Sequence, residues 1–185
     1  MFLGFQIFTI LTSSARFSHI KYRCLERDAT LFSLETMARG VDTVKLMVLD
    51  GQGGGIGATL IKGLRASLGL DLEILALGTN SIATSRMMKA GANRGGSGEN
   101  AIVHTCHQVD VIIGPISILI ANAMIGELTP KMATAVGSSS AKKILLPLTQ
   151  EKIRIVGVSR EPLPHLVKQA VNMIGGILQE MDQHV

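Results

Sequence analysis

From residue 44 onward the apolar positions of this chain follow two alternating rhythms: short unbroken runs, and longer stretches in which they recur every three or four residues. An unbroken run suits a strand buried on both faces, and the longer rhythm suits a helix with one buried face. Their alternation predicts parallel strands joined by crossover helices. The first unit is a strand over 44–50, a glycine-rich turn, and a helix with Ile56, Leu60, Ile61, Leu64 and Leu68 on one face, stopped at Gly69. A second strand covers 72–78. Thr79, Asn80 and Ser81 are candidate N-caps of a helix reaching Ala90, where Gly91 ends it. This completes a right-handed βαβ unit.

Residues 91–98 read as a glycine-rich loop, a cover from which Ser97 or Asn100 could reach a ligand. Residues 99–108 fit helical spacing through Ile102, Val103, Cys106 and Val109, with a strand over 101–104 as the alternative. The run 109–114 reads as a buried strand that Pro115-Ile116-Ser117 turns into a helix ending near Gly126. Pro130 opens another helix to about Val136. Further strands are expected over 143–147 and 153–158, and an amphipathic helix over 163–181. The pattern predicts a single α/β domain over 44–185, Rossmann-like and doubly wound, with a mostly parallel sheet and helices on both faces.

Residues 1–43 follow neither rhythm. The apolar stretch 1–12 is too short to span a bilayer and has no positive region before it. Val44, encodable by a GTG codon behind a purine-rich Arg39-Gly40 segment, or Met47 is the expected natural start, which makes 1–43 a non-native or disordered extension. The intact mass of the native protein checks this.

Composition narrows the classes. The net charge of +4 is dispersed among acids, and aromatics are 3% with no Trp, so neither a basic groove nor a stacking platform for nucleic acid is present. The long apolar run 111–126 contains Gly114-Pro115 and reads as core, not as a membrane span. Cys24 and Cys106 are far apart, which suits a reducing, cytoplasmic setting better than a disulfide scaffold.

The chemistry concentrates at Asp50-Gly51-Gln52-Gly53-Gly54-Gly55-Ile56-Gly57. Five glycines let backbone approach a ligand closely, and the helix behind them presents unpaired amides and a positive dipole end. That combination is a cradle for phosphate or carboxylate. In a doubly wound sheet, ligands bind outside the carboxyl ends of the strands where strand order reverses. This rule brings Thr79, Asn80, Gly114, Pro115, Ser117, Thr149 and Gln150 to the same edge as the turn.

Gly53-x-Gly55-x-x-Ala58 satisfies the dinucleotide form G-x-G-x-x-A, so NAD(P) or another nucleotide is the candidate cofactor. Asp50 could bond the turn amides but would repel a phosphate, leaving room for a hydroxyl-bearing ligand or a cation. The second strand ends in Gly78-Thr79-Asn80 without the acid that holds ribose hydroxyls, and Arg86 stands as a candidate for a 2′-phosphate or a surface charge. No Gly-Lys-Ser/Thr follows the turn, and the sole tyrosine, Tyr22, lies in the leader, so neither a Walker loop nor a Tyr-x-x-x-Lys relay exists. Glu99 would be the first candidate base, Glu127 is expected to end a helix, and His104, Cys106 and His107 lack a fourth ligand, so no metal site is assigned. No catalytic set emerges.

The runs Val48-Leu49-Asp50-Gly51-Gln52-Gly53-Gly54-Gly55-Ile56-Gly57, Ala76-Leu77-Gly78-Thr79-Asn80 and Ile112-Ile113-Gly114-Pro115, with residues 91–100, resemble a family of small uncharacterised bacterial proteins of Firmicutes type, classed as a domain of unknown function. The resemblance covers about 44–158 and implies a cytosolic Rossmann-like domain without an assigned activity. The leading expectation is a protein that binds a small anionic molecule, a nucleotide or another phosphorylated compound. Alternatives are an NAD(P)-dependent oxidoreductase and a structural homo-oligomer assembled through helix 163–181.

Overall fold

Every side chain from Leu46 to Leu49 is fully buried in the first strand, β1 (Lys45–Asp50). Successive residues of a strand point to opposite faces. Leu46 and Val48 accordingly enter one apolar core, and Met47 and Leu49 enter another. A strand buried on both sides needs helices above and below it, and the chain supplies them. The computed structural model describes residues 44–69, 72–159 and 161–183. The expectation about 1–43 lies outside these residues.

After β1 come α1 (Gly55–Leu68), β2 (Glu73–Gly78), α2 (Ser81–Lys89), β3 (Arg94–Ser97), α3 (Glu99–Thr105) and β4 (Val111–Pro115). A 3-10 turn (Ile116–Leu119), α4 (Pro130–Ser138), β5 (Lys142–Leu146) and α5 (Leu163–Gln183) complete the described elements. The strands form one parallel sheet in the order β3-β2-β1-β4-β5. This is the expected doubly wound α/β fold, here wholly parallel. Helices α1 and α5 pack on one face, and α3 and α4 on the other. After β3 the chain crosses back over β1 to lay down β4, so the switch point lies between the carboxyl ends of β1 and β4. Gly114 permits that junction, because a Cβ there would run into the Leu49 carbonyl oxygen.

Local signals behave as their chemistry dictates. The Asn80 side chain accepts the Ala83 amide at the start of α2, and the Thr129 hydroxyl accepts the Met132 amide ahead of Pro130. Gly69, at φ 77°, ends α1 in a conformation that suits glycine.

Three expectations need correction. Residues 94–97 are not loop but the edge strand β3, because the open edge of β2 pairs with them from Leu75 to Gly78. Their glycines also make room for α2, since a Cβ on Gly95 would lie 2.9 Å from both Met88 and Thr84 side-chain atoms. The helix expected up to Gly126 stops at Leu119, and residues 121–127 form turns closed by the Asn122 amide on the Leu128 carbonyl at 2.7 Å. Residues 153–158 are not a strand: they take no place in the sheet, and Ile153 and Val156 are exposed. In α5, Leu166, Val167, Ala170, Val171 and Ile174 are buried within the chain, against α1, while Met173 is exposed. Among the described residues no helix is long and apolar enough to cross a membrane.

Candidate functional site

The turn between β1 and α1 is tight. Gln52 and Gly54 adopt left-handed backbone at φ 50° and 64°, and the Gly54 amide donates to the Gly51 carbonyl at 2.9 Å. Gly51 has no room for a side chain, since a Cβ there would meet the Met124 sulfur and lie 2.6 Å from the Thr79 hydroxyl.

Asp50 occupies the inner side of this turn. It is only 4% exposed, and its two oxygens accept the Gly51 amide at 2.8 Å and the Gly57 amide at 2.7 Å. Burial pushes its carboxyl above the usual aspartate range, against the opposing pull of the Gly57, Gly51 and Ile56 amides and of Arg86. Arg86 is an exposed charge, and its guanidinium donates to the Gly53 carbonyl at 3.1 Å.

Glu127 occupies the outer side, and sequence reasoning missed it. Rather than ending a helix, it points one oxygen, Oε2, at three donors: the Gln52 amide at 2.8 Å, the Thr79 hydroxyl at 2.5 Å and the Asn80 side-chain amide at 2.8 Å. Burial works to raise its pKa, but the bonds from Thr79, Gln52 and Asn80 outweigh it and hold the carboxyl below the ordinary glutamate range. The partners lie 75, 48 and 47 residues away in sequence. The available signal was topological: the β4-to-α4 connection leaves the sheet at the edge where the glycine turn sits.

Part of the cradle expected at the turn is occupied by the chain's own groups. Backbone amides need partners, and here Asp50 takes those of Gly51 and Gly57, Glu127 takes that of Gln52, and backbone carbonyls take those of Gly54 and Ala58.

Beside the turn lies a cavity of about 280 Å³ at the switch point. Asp50, Gly51, Gln52 and Ile56 form its β1 side, and Pro115 and Ser117 its β4 side. Met124, Leu148, Thr149, Gln150 and Glu151 complete it. The expected grouping of the turn with residues 115, 117, 149 and 150 is thus realised in space. Thr79, Asn80 and Glu127 do not line it and reach it through the bond of Glu127 to the Gln52 amide, and Gly114 serves the strand junction instead. Glu151 and Met124 were not foreseen, and they meet where the Met124 amide donates to the Glu151 carboxylate at 3.0 Å.

The remaining candidates lie elsewhere. Glu99 accepts the Thr129 hydroxyl at 2.6 Å and pairs with Lys131 at 3.4 Å, which hold its carboxyl below the usual range and tie α3 to α4. The Ser97 hydroxyl is 2.6 Å from that of Thr84, and Asn100 is exposed. Cys106 is buried while His104 and His107 are exposed, so the three do not converge. Among the described residues no group of three or more His, Cys, Asp and Glu could hold a metal ion.

Comparison with known proteins gives one family: the model of "Domain of unknown function (DUF3842)" matches residues 45–179. No curated protein matches. A solved structure described as "Crystal structure of universal stress protein in complex with cAMP" aligns with 57% of this chain and 98% of its own, at 16% identity and a TM-score of 0.34. A similarity at that level fixes neither fold nor ligand for this chain.

Proposed function

Because this chain belongs to DUF3842, a domain of unknown function, its activity must be read from its own site, and we propose that it binds a small molecule carrying an acidic group, a nucleotide or another phosphorylated compound, at the switch point. The observation that carries this reading is the convergence of three donors, from the β1 turn and the end of β2, on a single oxygen beside the cavity. Backbone and side-chain N–H and O–H groups that meet at one point suit a phosphate or carboxylate oxygen. The cavity supplies apolar walls from Ile56, Pro115 and Leu148 and polar groups on Ser117, Thr149 and Gln150, with Asp50, whose carboxylate is taken up by the turn amides, and Glu151, which accepts the Met124 amide, also in its lining.

Size and charge narrow the ligand. Ligand sites usually enclose about 300–1,000 Å³, so this cavity suits a mononucleotide or smaller metabolite better than a dinucleotide. The NAD(P)-dependent alternative also loses the inner turn amides, which Asp50 holds. The reading assigns the protein a carrier or sensor role and no reaction.

A thermal-shift screen of the full chain against nucleotides, sugar phosphates and their unphosphorylated counterparts tests it. A true ligand at about 100 times its Kd adds roughly 2.7 kcal/mol to folding. A shift with phosphorylated compounds only is the expected result. Silence throughout, or equal shifts with the unphosphorylated partners, overturns the reading.

A further inference from the structure

The hole that receives Glu127 is held together without it. Gln52 is fixed in the glycine turn, the Thr79 amide donates to the Asp50 carbonyl at 3.1 Å, and Asn80 is locked by capping α2 through its oxygen while its nitrogen also donates to the Gln52 carbonyl at 3.0 Å. None of these ties involves residues 120–128.

The segment that delivers Glu127 is built differently. Asn122, Met124 and Ile125 all adopt positive φ, at 64°, 59° and 60°, a backbone region that L side chains disfavour and β-branched ones most of all. Ile125 is also 94% exposed, so packing gives no return for its conformation. The base of the turn is closed by the Asn122 amide on the Leu128 carbonyl. Ala123, Met124 and Leu128 anchor the turn in the core, and four hydrogen bonds tie it to groups around the cavity: one from Met124 to Glu151, and three to Glu127. Strained backbone of this kind persists where surrounding contacts impose it, and it gathers at clamps and switches.

We infer that the Gln52 amide, the Thr79 hydroxyl and the Asn80 side-chain amide form a preassembled anion hole, that Glu127 fills it as a built-in stand-in for the ligand's acidic group, and that a carboxylate or phosphate enters by displacing it. The inference rests on the reading of the neighbouring cavity as a ligand site. Occupation of the hole and release of the Glu127 carboxylate are then one equilibrium, and a ligand shifts it only as far as it binds the released state better.

The test compares wild type, Glu127→Gln and Glu127→Ala by titration with sodium acetate and, separately, inorganic phosphate, at ionic strength held constant with chloride. Thermal midpoints and the amide resonance of Gln52 are followed. Glu127→Ala empties the hole and is expected to bind at least one of the two anions saturably, at least about fivefold tighter than wild type, the low end of typical coupling between linked equilibria. Glu127→Gln keeps the shape but not the charge and falls between the two; it carries the comparison alone if the alanine variant does not fold. If neither folded variant responds to acetate or phosphate more than wild type does, the inference is overturned. Rescue by these anions beside a blank ligand screen upholds the hole and removes the proposed function. A screening hit with equal affinity for wild type and Glu127→Gln does the reverse.

Discussion

The Asp50 carboxylate accepts the Gly57 amide at 2.7 Å, joining the last residue of β1 to the first turn of α1. That bond holds the strand end and the helix start together, and it depends on residue 57 having no side chain. A Cβ there would lie 2.9 Å from the Asp50 Cβ and run into the Met87 sulfur.

Gly57→Ala is therefore expected to destabilise the fold by about 1–3 kcal/mol, the usual cost of overpacking a core. Gly55→Ala is the control. Its added Cβ would come no nearer than 3.6 Å to Arg86, so it should stay within about 0.5 kcal/mol of wild type. Urea unfolding of the two variants separates the outcomes, and equal losses would remove the Asp50–Gly57 junction as the cause.

The β1–turn–α1 unit was readable in the sequence because each of its levels agrees: four consecutive apolar residues, glycines where the turn needs them, and one apolar face on the helix. Arg94-Gly95-Gly96-Ser97 was not, since nothing in its side chains has a period of two and its strand character comes from the edge of β2. The opposite error occurred at 153–158, where an apolar run reads as strand but finds no partner. For the site, the switch-point rule correctly gathered the β1 turn, Pro115, Ser117, Thr149 and Gln150, because it depends on topology alone. It could not reveal that Glu127 accepts bonds from Gln52, Thr79 and Asn80. A contact spanning 75 residues leaves no local trace, and Glu127 beside Thr129-Pro130 looks like ordinary helix punctuation.

The contact between α1 and α5 makes a second prediction, with opposite signs for two glycines. A Cβ on Gly63 would lie 2.7 Å from a Val167 methyl carbon, so Gly63→Ala must push the helices apart, at a cost of about 1–3 kcal/mol. Gly176 sits in α5 with no atom within 4 Å of an added Cβ. There Gly176→Ala only removes backbone freedom, for a gain of up to about 1 kcal/mol. Denaturant midpoints read both. A harmless Gly63→Ala would mean that α5 does not rest on α1.

Cys106 is fully buried, and burial pushes its thiol pKa up to about 11, with Lys143 pulling weakly the other way. The thiolate is the reactive form. In a Cys24→Ser background, Cys106 should ignore Ellman's reagent at pH 8 in the folded protein and react fully in denaturant. Rapid reaction of the native protein would place the thiol outside the core.

Glu127 and Asp50 titrate in opposite senses, and substitution separates them. The folded state holds the Glu127 carboxyl below its ordinary range, so between the folded and unfolded pKa values the unfolded chain binds more protons. Its stabilising contribution is thus fully present above the unfolded value, about 4.3, and is lost as pH falls through the lower folded one. Asp50 behaves the other way: burial raises its folded pKa, so its ionisation costs stability as pH rises from an unfolded value of about 3.9 through the higher folded one. Glu127→Gln removes only the first effect and leaves Asp50 in both proteins. The stability of wild type relative to Glu127→Gln should therefore grow from pH 3 toward pH 6 and then level off, as read from urea midpoints across that series. A difference that is flat with pH, or that grows toward acid, would show that the three donors do not favour the Glu127 carboxylate.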